Sequence, residues 1–284
     1  MATHSLPSLF VSHGSPMLAL EPGAAGTFMQ QLGPALDAAF GRPRAVLVAS
    51  AHSLTREPAL LAAARHTTVH DFGGFPDALY KLRYDAPGAD TLAPQVARLV
   101  RDAGLPIHVL PEGGLDHGIW IPLRFAYPLV DVPVLPLAFP ADWSPQQLFA
   151  LGHALAPLRD SGVLVLGSGS ITHNLRLVFS RGAQANGAEM PESAAFRSWF
   201  AERAAQMDVD ALFDYRRQAP HAAVMHPSDE HLLPWYVAAG AGHQGPAIRV
   251  HDSVTMACLG MDAYAFGAQA ERLRRELEPA LTAP

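Results

Sequence analysis

Short runs of apolar, often β-branched residues recur along this chain, separated by longer stretches rich in Ala and Leu, and this alternation constrains the fold more than any other feature. Strands interleaved with helices read this way. The runs are Ser8–Ser12, Ala45–Ser50, Ile107–Leu110, Val132–Leu137, Val163–Gly167 and Ala247–Val250. Most are apolar throughout rather than at every second position, as expected of strands buried on both faces. Helices are expected over Ala24–Gly41, Asp90–Ala103, Gln146–Ser161, Glu192–Gln206, Val209–Gln218 and Glu230–Ala239, with a terminal one over Gly267–Leu281. The reading is an α/β fold with a central, mostly parallel or mixed sheet and helices on both faces.

With 284 residues, 49% of them hydrophobic and 16% charged, the chain can fill a sizeable core. No Ser/Gly-rich linker or internal repeat divides it, so a single domain over 1–284 is expected. A net charge of -6 supplies no basic face for a phosphate backbone, which argues against a nucleic-acid partner. Cys258 is the sole cysteine, so neither an intrachain disulfide nor a cysteine zinc knuckle can form. That usage suits a reducing compartment. The N-terminus lacks a signal-like pattern and no apolar run is long enough for a bilayer, so a cytoplasmic location without a membrane partner is expected. Arg65–Ala86 and Ser180–Pro191 read as long ordered loops, of the kind that wall or cover a site.

The chain has 14 histidines, and their positions carry the functional argument. His13 directly follows Leu9-Phe10-Val11-Ser12, His52 follows the run ending Ser50-Ala51, and His173 follows Val163–Leu166 across Gly167-Ser168-Gly169-Ser170-Ile171-Thr172. The carboxyl ends of parallel strands line one edge of an open sheet, where ligands bind. These three imidazoles are therefore expected to converge. His117 and His231 join them through turn-to-helix contexts, Asp116-His117-Gly118 and Asp229-Glu230-His231-Leu232. A lone histidine is usually a hydrogen-bonded structural residue, but neutral imidazole is also the commonest protein metal ligand, and a convergent set favours a metal. His4, His66, His108, His153 and His243 lack such placement and read as ordinary surface or loop residues. His70, His221, His226 and His251 are ambiguous.

Other signals are weaker. Gly167-Ser168-Gly169-Ser170 lacks the remaining glycine or lysine of the nucleotide-binding loops, so it reads as a tight site-forming turn. Ser15 beside His13 suggests a hydrolase nucleophile, yet no Gly-x-Ser-x-Gly elbow surrounds it.

Taken in order, Leu9-Phe10-Val11-Ser12-His13-Gly14-Ser15-Pro16, Ser50-Ala51-His52, His70-Asp71-Phe72-Gly73-Gly74-Phe75-Pro76, Leu115-Asp116-His117-Gly118, Ser168–Leu175 and Pro227–Pro234 resemble the class III extradiol ring-cleaving dioxygenases, in the branch similar to DOPA 4,5-dioxygenase. The resemblance implies His13, His52 and His231 as metal ligands and His173 and His117 as substrate-facing, catalytic histidines. His173 is a possible fourth ligand when zinc is bound, because that ion favours tetrahedral closure. Glu230, adjacent to His231, is not expected to share the metal. Ser15, Phe72 and Phe75 are expected to contact substrate.

The implied chemistry uses one divalent metal, Fe(II) for dioxygenase activity or Zn(II) as found, with a small aromatic diol and O2 as reactants. His173 is expected to move a proton in both directions, as an imidazole titrating near neutral pH does, and His117 to hydrogen-bond the developing oxygen anion or the substrate hydroxyl. Two alternatives stand beside this. One is a zinc hydrolase with Glu230 or Asp116 as base; the other is a non-catalytic metal- or small-molecule-binding protein.

Overall fold

The structure, a computed structural model, describes residues 5–180, 187–242 and 245–281. Its strands are β1 (Ser8–Ser12), β2 (Ala45–Leu54), β3 (Ala59–Leu61), β4 (His108–Leu110), β5 (Val134–Phe139), β6 (Val163–Gly169), β7 (Ala247–His251) and β8 (Ala263–Phe266). They form an eight-stranded sheet in the order β4-β3-β5-β2-β6-β1-β8-β7. The middle four, β5, β2, β6 and β1, run parallel. β8 is antiparallel to β1 and β7, and β3 is antiparallel to β5, so the sheet is mixed.

Side chains of the middle strands alternate between two cores. Leu47, Ala49, Val163 and Val165 belong to one, while Val46, Val48, Leu164 and Leu166 belong to the other. This two-sided burial is why the runs are uniformly apolar. Helices α2 (Ala93–Asp102), α4 (Pro145–Leu155), α6 (Pro191–Gln206) and α7 (Leu233–Gly242) pack on the first face. Helices α1 (Gly23–Phe40), α3 (His117–Ala126) and α8 (Ala270–Leu281) pack on the second, and the short α5 (Leu175–Ser180) follows β6. Among the described residues no helix is long and apolar enough to cross a membrane.

Several expected boundaries shift for physical reasons. The helix expected over Glu230–Ala239 starts at Leu233, because the backbone before it is a turn in which Leu232 N–H donates to the Asp229 carbonyl. Val209–Gln218 is two short helices broken at Asp214, and Gln146–Ser161 tightens into a 3-10 turn from Ala156. β3 and β8, of three and four residues, are too short to show a periodic signal. Of the expected loop Ser180–Pro191, residues 181–186 lie outside the described residues, and so do His4 and His243. The other loop, Arg65–Ala86, contains a two-residue strand at Thr67–Thr68 and a helical turn at Asp77–Tyr80.

The Gly-Ser-Gly-Ser segment is mostly strand rather than turn, since β6 runs to Gly169. Its glycines admit α7 and the turn before it: a Cβ on Gly169 would lie 2.0 Å from the His231 carbonyl oxygen, and one on Gly167 would lie 2.2 Å from that of Pro234. The α7 helix is buried all round, and its close seating on β6 delivers His231 to the strand ends.

Candidate metal centre and its cavity

His13 follows β1 immediately, and His173 follows β6 after a short turn. His52 lies within β2, which continues to Leu54, rather than after it. These are three adjacent parallel strands, so their histidines meet at one sheet edge. His231 arrives over Gly169, its carbonyl accepting from Ser170 N–H. His117 opens α3. The rings of His13, His52 and His231 have centroids 5.0–5.4 Å apart. One donor atom from each of these three lies within 4.8 Å of the others.

Outer hydrogen bonds fix how these rings present themselves. Ser168 donates its only hydroxyl proton to the Gly118 carbonyl, so its Oγ must accept from His13 Nδ1–H, 3.0 Å away. Nε2 of His13 is therefore bare. The Asp71 carboxylate is 3.5 Å from Nδ1 of His52 and favours the proton there, and Glu230 accepts from Nδ1 of His231 at 3.0 Å. Nε2 of His52 then faces Nε2 of His13 at 3.1 Å, lone pair against lone pair. Such a contact is repulsive unless a cation lies between, and two nitrogens on a tetrahedral ion with bonds of about 2.0–2.1 Å stand roughly 3.3 Å apart. The donor set therefore fits a divalent ion, with oriented imidazoles backed by Ser168, Asp71 and Glu230.

Burial, with the neighbouring histidines adding to it, holds the His13 and His231 imidazoles well below their ordinary value. His52 and His173 are pushed down to about 4, again chiefly by burial. All four are neutral at pH 7, the form that ligates metal or accepts a proton. For His173 this departs from the near-neutral titration expected above. Its ring stacks on His231 with centroids 3.4 Å apart, beside the three converging donors rather than among them.

Two other sets of potential donors overlap the first: His52, Asp71 and His117, and His173, Glu230 and His231. Their carboxylates are already engaged. Asp71 accepts from the backbone N–H of His117 at 2.8 Å and from its Nδ1 at 2.9 Å. Burial alone would raise the Asp71 carboxyl, but the His117 hydrogen bonds outweigh it and hold the group below its usual value. Asp116, completely enclosed, accepts from Ser50 and Ser53 at 2.7 Å each, and burial raises its carboxyl. These bonds fasten α3 to the end of β2. Gly118, beside His117, lies so close that a Cβ there would sit 2.6 Å from Ser50 Oγ and 3.0 Å from the His13 ring.

A cavity of about 400 Å³ opens over these histidines, lined by Ser15, Phe72 and Phe75 as well as by His117 and His173. Phe72 and Phe75 meet edge to face at 5.4 Å, and Phe72 stands edge to face on His117 at 5.7 Å. Ser15 Oγ caps the following 3-10 turn by accepting from Met17 N–H. Of the ambiguous histidines, His70 and His226 prove structural. Each donates from Nε2 to a carbonyl, those of Leu82 and Ile171. His66 is no surface residue: it is wholly buried and donates to the Val134 carbonyl.

The outer partners Asp71 and Ser168 escaped sequence reasoning. Asp71 stood in a quoted motif, between His70 and the aromatic pair, and that position beside a site-forming loop was its one available signal.

Comparison with known proteins gives the family and the fold. Residues 7–267 match the family described as the catalytic LigB subunit of aromatic ring-opening dioxygenase. A 4,5-DOPA dioxygenase extradiol of Beta vulgaris is 34% identical over 263 residues, covering 91% of this chain and 96% of its own length. The protein of that description in Escherichia coli K12 is 34% identical over 276 residues, covering 94% and 97%. A crystal structure of an uncharacterized E. coli K12 protein superposes with a TM-score of 0.72 at 27% identity, covering 92% of this chain and all of that one.

Proposed function

The chain belongs to the family of the catalytic LigB subunit of aromatic ring-opening dioxygenases, and from that premise we propose that it opens the ring of a catechol-type substrate with O2 at the His13, His52 and His231 centre. The observation that carries the metal assignment is the 3.1 Å approach of two Nε2 atoms whose Nδ1 protons are committed elsewhere. A bound Fe(II) supplies the redox chemistry linking an aromatic diol to O2, which Zn(II) on the same donors does not.

The remaining work falls to this chain's own residues. His173, neutral and at the cavity wall, accepts a proton from a substrate hydroxyl and later returns it. Asp71 fixes the Nδ1 proton of His117, which leaves the Nε2 lone pair of that ring to accept from a substrate hydroxyl rather than to donate to an oxygen anion. Phe72 and Phe75 enclose the aromatic ring, and Ser15 lies at the cavity floor beside His13. In the overall reaction both atoms of O2 enter the product, and the carbon–carbon bond beside the diol breaks to give a hydroxy-semialdehyde acid. The hydrolase alternative loses ground because its candidate bases are occupied, Asp116 by Ser50 and Ser53 and Glu230 by His231.

The test is anaerobic reconstitution with Fe(II), followed by O2 uptake on a catechol panel. Stoichiometric O2 consumption with a semialdehyde absorption band supports the proposal. Fe-loaded protein that consumes no O2 with any catechol sinks it.

A further inference from the structure

The catechol cavity has a composition that selects among catechols. Beyond the histidines and Asp71, its larger side chains are apolar, among them Met17, Phe72, Phe75, Val178, Phe179 and Leu259. Among the described residues lining it there is no Lys or Arg. The guanidinium packed behind Gly260, that of Arg197, is spent on Glu189, Asp252 and Asp262. A carboxylate on the substrate ring would thus meet no cation from these walls.

An ammonium group fares no better. Among the described lining residues the one carboxylate, that of Asp71, is turned to His117 and His52 and accepts two hydrogen bonds from His117. A charged substituent, of either sign or both, would be desolvated here without a partner, which is costly. An apolar substituent gains by the same burial. At about 400 Å³ the space falls within the range of pockets that enclose more than a single ring.

Resting on the ring-opening reading above, we infer that the natural substrate is a catechol carrying an uncharged, apolar alkyl or aryl substituent, rather than a carboxylate or an amino-acid side chain. Met17, Val178, Phe179 and Leu259 are the residues that set this preference. The substituent would lie against Met17 and the buried Val178 and Leu259, while Phe179 of α5 lines the cavity at its rim, 78% exposed.

Two measurements on the metal-loaded protein test this. Anaerobic equilibrium binding and O2-uptake kcat/KM are compared for 4-methylcatechol and 3,4-dihydroxybiphenyl against 3,4-dihydroxybenzoate and 3,4-dihydroxyphenylalanine. The uncharged pair is expected to lead by at least tenfold in both. Phe179→Arg, at an exposed position that tolerates the change, should narrow the gap to 3,4-dihydroxybenzoate about tenfold. Equal or better binding and turnover of the charged pair overturns the inference while ring opening stands. If no catechol binds at all, both fall together.

Discussion

The imidazole of His173 lies parallel to that of His231, with ring centroids 3.4 Å apart and planes 9° from each other. A positive charge on one ring disfavours charge on the other at this separation. Whatever cation His231 helps to hold therefore keeps His173 in its proton-accepting form. Replacing His173 with Gln preserves size and some hydrogen bonding but removes the proton carrier. Metal content should be largely retained while ring opening falls by roughly 10²–10⁴-fold. Elemental analysis paired with O2 uptake reads both. Iron lost in step with activity would instead make His173 a ligand.

The converging donors predict a different outcome at His13, His52 and His231. Single Ala variants should each lose most of their metal, whereas Ser168→Ala, which frees Nδ1 of His13 and removes the donor to the Gly118 carbonyl, should weaken metal affinity by roughly 10–100-fold. Competition with a chromogenic chelator ranks them. Full occupancy in all three Ala variants would discard the assignment.

Gly118→Ala tests the packing rather than the ligands. The added methyl meets Ser50 Oγ and the His13 ring inside contact distance, so it should cost about 1–3 kcal/mol and lower metal affinity as well. Urea unfolding with and without metal separates the two effects. Wild-type values for both would show that the site yields more easily than its close approach implies.

Asp71→Asn offers only one acceptor oxygen where the carboxylate serves both the backbone N–H and Nδ1 of His117. An amide nitrogen turned toward Nδ1 would force the opposite tautomer on His117. The expected result is a fall in kcat of about 10–100-fold with a smaller change in KM, accompanied by altered imidazole ¹⁵N shifts. Unchanged shifts together with normal kcat would remove Asp71 from the machinery.

Acid stability provides a check away from the metal. His226 is fully buried, and burial lowers it from 6.5 to about 4. Above pH 6.5 it is neutral in both folded and unfolded chains, and its contribution is complete. As pH falls from 6.5 toward 4 the unfolded chain takes up a proton that the folded one refuses, and stability is lost. By pH 5 this amounts to about 2 kcal/mol. In metal-free protein, His226→Gln should flatten the decline in urea midpoint between pH 7 and 5, even if it starts from a lower value. A slope identical to wild type would place the proton uptake elsewhere.

Strand-end reasoning found His13 and His52 because their positions follow from local pattern: an apolar run, then the imidazole. It grouped His173 with them, whereas the donor that lies within 4.8 Å of both belongs to His231. That substitution was invisible locally, since His231 is placed by a carbonyl resting over Gly169, more than sixty residues away in sequence. Only the family resemblance, and not periodicity, pointed to His231 as a ligand. Asp71 and Ser168 were hidden for the same reason, as hydrogen bonds between distant segments leave no trace in spacing. The middle strands were legible because burial on both faces writes itself into uniform hydrophobicity. β3 and β8 were not, because three and four residues are too few to carry a pattern.

The placement of β1 between β6 and β8 sets a timetable for the birth of the protein. Ser8–Ser12 leaves the ribosome before either neighbour exists, and the strand that closes its far side ends at Phe266. At roughly 5–20 residues per second, an interval on the order of 10–50 s separates them. Until Val163–Gly169 has been made Leu9-Phe10-Val11 has no strand to pair with, and its other edge stays open until Phe266 is made. His231, the last of the three converging donors, is made long after His13 and His52, so the donor set is complete only late in synthesis, shortly before the strand that closes the edge of β1.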